Sequence, residues 1–175
     1  VVNPDTLVER FGADTLRLYE MFLGPLTESK PWDTKGIEGT SRFLRKLWRL
    51  FFDQNGVYRV EDKEASRENL KTLHKTIKKV QEDVENFSFN TSVSTFMIAV
   101  NELTDQRCHV KSVLKEFLIV ISPYAPHIAE ELWAALGEQG SITAAAYPEW
   151  NPEHLKEDAF EYPIQGNGKG RLNLN

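Results

Sequence analysis

Apolar residues recur at helical spacing along most of this 175-residue chain, and this periodicity restricts its fold more than any other feature. Between residues 70 and 84 the separations are 3, 4, 3 and 4, for the stripe Leu70, Leu73, Ile77, Val80 and Val84. Residues 90–105 carry a similar stripe, and residues 110–122 are apolar on most sides. Such helices bury their stripes against one another. We therefore predict an all-α fold, an antiparallel helical bundle with short connections.

Residues that start and stop helices divide the first third of the chain. The opening NPDTLVERFGADTLRLYEMFLGP has Asn3 as an N-cap, Pro4 at the first helical position and Gly12 as a stop. A second short helix should follow from Asp14 to Leu23. A third, longer helix is predicted from about residue 38 to about residue 54, where an Asn-Gly pair should end it.

The end of the chain changes character. Its sequence, FEYPIQGNGKGRLNLN, alternates apolar and polar residues around Asn167-Gly168, a strong signal for a two-residue hairpin turn. We therefore expect the start of a β-hairpin. The glycine-rich run around Lys169 could suggest a phosphate-binding loop, but its spacing is wrong and no Ser or Thr follows the lysine.

Charge is unevenly distributed along the chain. The net charge of -5 disfavours binding of the whole chain to nucleic acid or to an anionic membrane. Residues 30–50, however, contain six basic residues and two acids, and residues 71–79 contain four lysines and no acid. Residues 138–161 contain six acids and one lysine. The sequence thus predicts a basic part and an acidic part.

Few residues could carry catalytic chemistry. His127 shares a helix face with Glu130 and Glu131, but a zinc site needs further ligands, and a capping histidine at the edge of the core is the favoured interpretation. The single cysteine, Cys108, lies beside His109, yet adjacent side chains point apart and a nucleophile needs an oriented base. We predict no catalytic residue and no metal site. A single cysteine and no apolar run long enough to span a bilayer favour a soluble cytoplasmic protein.

A set of cations on the third predicted helix is the best candidate for binding. The set follows the spacing i, i+3, i+4 and i+7, so it projects from one side of the helix, and it consists of Arg42, Arg45, Lys46 and Arg49. On the pattern alone, a solvated helix face is equally consistent. Four aligned cations without an interleaved acid, with Trp32 and Trp48 near in sequence, favour a phosphate backbone as partner. Lys75 and Lys78 form a second, less certain strip.

Long stretches of the chain resemble one family. NPDTLVERFGADTLRLYEMFLGPLTESKPWDTKGIEGTSRFLRKLWRL resembles the segment that follows the KMSKS loop in class I aminoacyl-tRNA synthetases. LHKTIKKVQEDVENFSFNTSVSTFMIAVNEL and SPYAPHIAEELWAALG resemble the anticodon-binding bundle of the same enzymes. The resemblance is to leucyl-tRNA synthetases of bacterial type more than to the valyl, isoleucyl or methionyl enzymes, and it covers nearly the whole chain.

The resemblance implies a role in positioning tRNA. In that family the parent enzyme ligates leucine to tRNA(Leu) with ATP and Mg²⁺, and the motifs that bind ATP lie upstream of segments like this one. The chain alone is therefore expected to be inactive, without cofactors, and a monomer whose partners are tRNA(Leu) and the parent catalytic domain. Its contacts should be mostly to the RNA backbone. Two alternatives remain open: the same domain of a valyl, isoleucyl or methionyl enzyme, and a helical protein-interaction module that does not bind RNA.

The resemblance also implies three parts: a connective segment over residues 1–36, the anticodon-binding bundle over 37–160, and the beginning of a β element over 161–175. The sequence departs from the family pattern at Gly166 and Gly170, where the family usually carries Ile or Val. Glycine lacks the side chain that packs a strand, so a bulge or an altered hairpin is expected there.

Overall fold

The computed structural model describes residues 2–156 and the backbone of residues 162–166 and 169–174. Within these residues the chain forms a helical bundle, as predicted, followed by a short β-hairpin. The helices are α1 Pro4–Phe11, α2 Ala13–Phe22, α3 Ile37–Phe51, α4 Arg67–Glu85, α5 Phe89–Asp105, α6 Lys111–Ile121 and α7 Pro126–Ala135. Two 3₁₀ turns follow, Ile142–Ala144 and Pro152–Leu155. None of the described helices is long and apolar enough to cross a membrane.

The core lies between α2, α3, α4, α5, α6 and α7. Helix α5 packs against α2, α3 and α4, while α6 packs against α4 and α7. The Phe96 ring on α5 lies 6.1 Å from the ring of Phe117 and 5.0 Å from that of Tyr124, both edge to face. Aromatic pairs in this arrangement stabilise the core beyond the area that they bury. The predicted stripe on α4 points into this core through Leu73, Ile77 and Val80.

The first helix begins and ends as the sequence predicts, and the second lies one residue earlier at each end, at Ala13–Phe22 instead of Asp14 to Leu23. The Asn3 side chain accepts a hydrogen bond from the Asp5 amide at 3.0 Å, and Pro4 is the first helical residue. Gly12 separates α1 from α2 with a φ of +86°, a conformation that favours glycine. A small second core forms around Leu7, Tyr19 and Ile37.

Helix α3 ends earlier than predicted, at Phe51 instead of near residue 54. Phe52 is extended and pairs with Tyr58 in an isolated β-bridge. The Asp53 carboxylate accepts hydrogen bonds from the amides of Asn55 at 2.7 Å and Val57 at 2.9 Å. The Asn-Gly pair therefore sits in a turn that Asp53 stabilises and does not cap the helix.

Asp14 on α2 caps α7, and this contact explains His127. The buried Asp14 carboxylate accepts hydrogen bonds from the amides of His127 at 3.3 Å and Ile128 at 2.7 Å. The same carboxylate lies 2.8 Å from Nδ1 of His127. A carboxylate at a helix N-terminus satisfies free amides and interacts favourably with the helix dipole. The sequence favoured a capping or core-edge histidine; in the structure Asp14 supplies the cap, and His127 is exposed beside it.

Cys108 and His109 do not form a pair. The Cys108 side chain is buried, and burial raises the pKa of its thiol. Nδ1 of His109 lies 2.7 Å from the carbonyl oxygen of Leu50, at the end of α3. The two side chains therefore serve different contacts, in agreement with the interpretation from sequence.

The described strands of the tail, β1 Tyr162–Gly166 and β2 Lys169–Leu174, pair antiparallel. Ile164 lies opposite Leu172 and Gln165 opposite Gly170, so the register shifts between these two pairs. The expected irregularity thus lies next to Gly170. The predicted turn residues, Asn167 and Gly168, lie outside the described residues.

Replacement of Gly36 by alanine should destabilise the chain. A Cβ at residue 36 would lie 2.5 Å from Oη of Tyr19, which is buried and donates a hydrogen bond to the Asp33 carbonyl at 2.5 Å. We expect a loss of about 1–3 kcal/mol in the free energy of unfolding, measured by thermal or urea denaturation. The matched control is Gly39→Ala, where the new Cβ meets nothing within 4 Å. It should be neutral or stabilise by up to about 1 kcal/mol. Equal stability of the two variants would contradict this packing.

Candidate nucleic-acid interface

Helix α3 has one buried side and one charged side. Its apolar side faces the core, and the residues buried there are Ile37, Phe43, Leu44, Leu47, Leu50 and Phe51. The predicted cations lie on the other side. Arg42, Arg45 and Arg49 are exposed, and Lys46 is half-buried. Because burial of the stripe fixes the rotation of the helix, it also fixes the direction of these charges.

The four cations have different environments. The guanidinium of Arg42 lies 3.9 Å from the Glu38 carboxylate one turn earlier, a weak exposed pair. Nζ of Lys46 donates a hydrogen bond to Oδ1 of Asn101 on α5 at 2.6 Å. Among the residues whose side chains are described, neither Arg45 nor Arg49 has an ion-pair partner. These two arginines are the best placed to meet an anion from solvent.

A cation from α1 joins this surface. Arg10 and Phe11 line a hollow of about 280 Å³ together with Arg42 and Arg45. The Arg10 guanidinium lies 4.8 Å from the centre of the Phe11 ring, a cation–π contact. Arg10 was not predicted, because it lies 32 residues before Arg42 and only the packing of α1 brings the two together. We call the set Arg10, Arg42, Arg45, Lys46 and Arg49 the basic face.

Only one of the two tryptophans lies at the basic face. Trp48 stacks on Phe52 with ring centres 4.8 Å apart and lines a hollow of about 320 Å³ with Arg45 and Arg49. Trp32 instead packs edge to face on Tyr19 at 5.0 Å, and its Nε1 donates to the Thr34 hydroxyl. We expected both tryptophans near the cations; of the two, only Trp48 lies beside them in the structure.

The second predicted strip lies at a cleft of about 500 Å³ between α4 and α5, which four lysines line: Lys71, Lys75, Lys78 and Lys79. Lys79 pairs with the buried Asp83 carboxylate. Nζ of Lys78 lies 3.9 Å from Glu82 and 4.9 Å from the centre of the Trp150 ring. Lys75 is exposed, with no ion pair among the residues whose side chains are described. Several of these lysines are three or four residues apart on α4, and like charges at this spacing lower the stability of a helix.

A connecting segment, residues 147–156, crosses α4 beside this strip. The Tyr147 hydroxyl donates to the Ile77 carbonyl at 3.1 Å, and the Asn151 amide donates to Nδ1 of His74 at 3.2 Å. The rings of His74 and His154 stack 4.4 Å apart. Burial, and to a smaller extent the charge of His154, lowers the pKa of His74. A neutral His74 is also what the hydrogen bond requires, because Nδ1 accepts in it.

Acidification should loosen this segment through His74. Its folded pKa lies below the unfolded value of about 6.5, so its contribution to stability is complete above that pH and is lost as the pH falls from there through the folded pKa. We expect the melting temperature to fall more between pH 7.5 and 5.5 in the natural chain than in His74→Gln. Thermal unfolding at the two pH values measures this difference. An identical fall in both chains would show that His74 does not couple the segment to pH.

Known proteins are similar to this chain over nearly its whole length. Residues 66–175 match a family described as the anticodon-binding domain of tRNA ligase. The chain is 59% identical to the leucine–tRNA ligase of Flavobacterium johnsoniae and 55% identical to that of Bacteroides thetaiotaomicron; each match covers 99% of this chain and 18% of the relative. The structure is similar to a crystal structure of the ternary LeuRS–tRNA–LeuAMS complex of Agrobacterium radiobacter K84, with a TM-score of 0.77 and 27% identity over 99% of this chain and 24% of that one. The chain thus spans less than a fifth of the length of these two relatives.

Proposed function

The chain belongs to the family of anticodon-binding domains of tRNA ligases, and from this premise we propose that it is the tRNA-binding helical region of a leucine–tRNA ligase. The parent enzyme would ligate leucine to tRNA(Leu) with ATP, and this region would hold the tRNA against the catalytic part. The relatives named above are leucine enzymes and match the chain over nearly its whole length. This similarity supports a leucine enzyme over its valyl, isoleucyl and methionyl sisters.

The basic face is our proposed contact with the tRNA backbone. The observation that carries this proposal is the pair Arg45 and Arg49, which are exposed, lie one turn apart and have no ion pair within the described side chains. A guanidinium presents paired N–H donors that match two phosphate oxygens. Neutralisation of phosphates releases condensed counterions, which favours binding at low salt. Contacts of this kind hold the RNA in register without reading its bases.

The remaining cations differ in how free they are to bind. Lys46 can turn from Asn101 to a phosphate at the cost of one hydrogen bond. Lys75 and Lys78 would form a second contact on α4, with Lys75 the freer of the two. Arg10 would extend the face toward the first helix. We include these residues as supporting phosphate contacts around the arginine pair.

ATP and Mg²⁺ would be held outside this chain. The described residues contain no group of three or more His, Cys, Asp or Glu that could hold a metal ion. The glycine-rich run near Lys169 also lacks the spacing of a phosphate-binding loop. The residues present therefore do not fit either group. The catalytic part of the parent enzyme would supply the sites for ATP and Mg²⁺. We propose that the parent enzyme acts as a monomer in the cytoplasm.

We further propose that the division into residues 1–36, 37–160 and 161–175 corresponds to connective, bundle and β parts. The small core around Leu7 and Tyr19 supports a distinct first part, and it closes on Ile37 at the start of the bundle part. That part is also anchored to the bundle, because Leu18 belongs to the main core and the Arg17 guanidinium donates to the Pro123 carbonyl at 2.9 Å. A connective segment fixed in this way would transmit the position of the bundle to the catalytic part.

Replacement of both Arg45 and Arg49 by glutamine should weaken tRNA binding. Each lost phosphate contact should reduce the slope of log affinity against log salt by roughly 0.7 to 0.9, and the loss should be similar for different tRNA species. A salt titration of tRNA binding by the natural 175-residue chain and by the double variant measures both effects.

The matched control removes two cations that already share a carboxylate partner within the protein. Lys111 and Lys115 lie 3.4 and 2.6 Å from Glu138, so Lys111→Gln with Lys115→Gln removes the same charge at residues that are not members of the basic face. We expect this control to keep the salt slope of the natural chain. Equal slopes for the natural chain and the arginine variant would show that the basic face is a solvated surface that does not contact the tRNA.

The 175-residue chain alone should not activate leucine. Because the residues that would hold ATP lie elsewhere in the parent, we expect no leucine-dependent exchange of pyrophosphate into ATP and no charging of tRNA. The parent enzyme serves as the positive control. Exchange catalysed by the pure chain, and lost on heat denaturation, would overturn this assignment.

A further inference from the structure

Phe87, between α4 and α5, carries two costs that the fold does not offset. Its φ is +55°, in the left-handed region that favours glycine or asparagine. Its side chain is also 68% exposed, the largest exposed fraction among the exposed large apolar residues of the described chain. The amides of Phe87 and Ser88 still bond to the Val84 and Asp83 carbonyls at 3.2 and 2.7 Å, so the turn itself needs no aromatic ring.

An apolar cleft of about 440 Å³ lies next to this ring. Phe89, which meets the Phe87 ring edge to face at 5.9 Å, lines the cleft together with residues from α2, α4 and α6. Val84 and Tyr147, two of the other exposed large apolar side chains, also line it. An exposed aromatic ring beside an open apolar cleft is typical of a site where another protein surface docks.

The charges around the cleft disfavour RNA as its occupant. Among the residues whose side chains are described, Glu85 is the one charged residue that lines it, and no cation does. The acids nearest in sequence, Glu82 and Asp83, pair with Lys78 and Lys79, so this end of α4 offers no excess of positive charge. A phosphate backbone would not be attracted to such a surface. An apolar side chain of a protein segment would fit it.

We propose that Phe87 and this cleft dock a segment of the same polypeptide that lies outside the 175 residues, with an apolar side chain inserted into the cleft. The inference rests on the proposed function, since it requires the chain to be part of a longer ligase; the relatives are more than five times its length. A single ring and one cleft form a smaller surface than the 1,200–2,000 Å² or so that separate chains bury in a stable complex. Linkage in one chain supplies a high effective concentration, so a small surface suffices.

Phe87→Asn tests this docking, because asparagine adopts the left-handed conformation and removes the ring. In the 175-residue chain, we expect the melting temperature to stay unchanged or to rise. In the full-length ligase, hydrogen exchange of residues 84–89 should be slower than in the 175-residue chain, and Phe87→Asn should abolish this protection. Equal exchange rates in the two natural proteins would overturn the proposal.

Arg107→Asn is the matched control. Arg107 lies at the corresponding position after α5, is exposed and has a φ of +51°, so the variant relieves the same backbone strain away from the cleft. It should leave the protection of residues 84–89 intact. Two results would overturn the inference. Protection of residues 84–89 in the 175-residue chain only with added tRNA would show that RNA occupies the cleft. Protection only when that chain self-associates in sedimentation would show that a second copy occupies it. The salt dependence of tRNA binding, measured on Phe87→Asn, should not change, which separates this test from that of the basic face.

Discussion

Burial of the apolar side of α3 is the constraint on which the rest of the structure depends. Ile37, Leu47 and Phe51 are fully buried, and each contributes about 1.5–3 kcal/mol relative to an exposed side chain. This burial sets the rotation of the helix, so its cations lie on the side away from the core. The members of the basic face that belong to α3 are therefore oriented by the core. The surface that we propose for phosphates thus follows from the packing of the core.

Polar contacts between distant helices decide which elements are neighbours. The Asp14 carboxylate of α2 caps α7, so a residue near one end of the chain fixes a helix that begins more than a hundred residues later. Asn69 and Thr72 on α4 donate to Gln106 and Glu102 at the end of α5, at 2.8 and 2.9 Å. An unpaired group at any of these places would be costly in the core. The contacts thus favour one arrangement of helices over others with the same apolar burial.

The distribution of ion pairs explains how a chain of net charge -5 can present a basic surface. Lys79 is paired with the buried Asp83, and Lys111 and Lys115 share the single carboxylate of Glu138, so these cations already have partners within the protein. Arg45 and Arg49 have no such partner among the described side chains. Two cations with no partner among the described side chains therefore lie one turn apart on one side of α3. This agrees with binding of an RNA backbone, where the spacing of charge matters more than the total.

The sequence by itself determined the helices, the cap of α1 and the direction of the α3 cations, because a period of 3.6 residues and local capping are properties of neighbouring residues. It could not determine contacts that join distant segments. The end of α3 depends on the pairing of Phe52 with Tyr58, and the capping of α7 depends on Asp14. The approach of Arg10 to the basic face likewise depends on how α1 packs. Only the tertiary structure decided these features, because each requires two segments that local preferences leave free to be placed in many ways relative to each other.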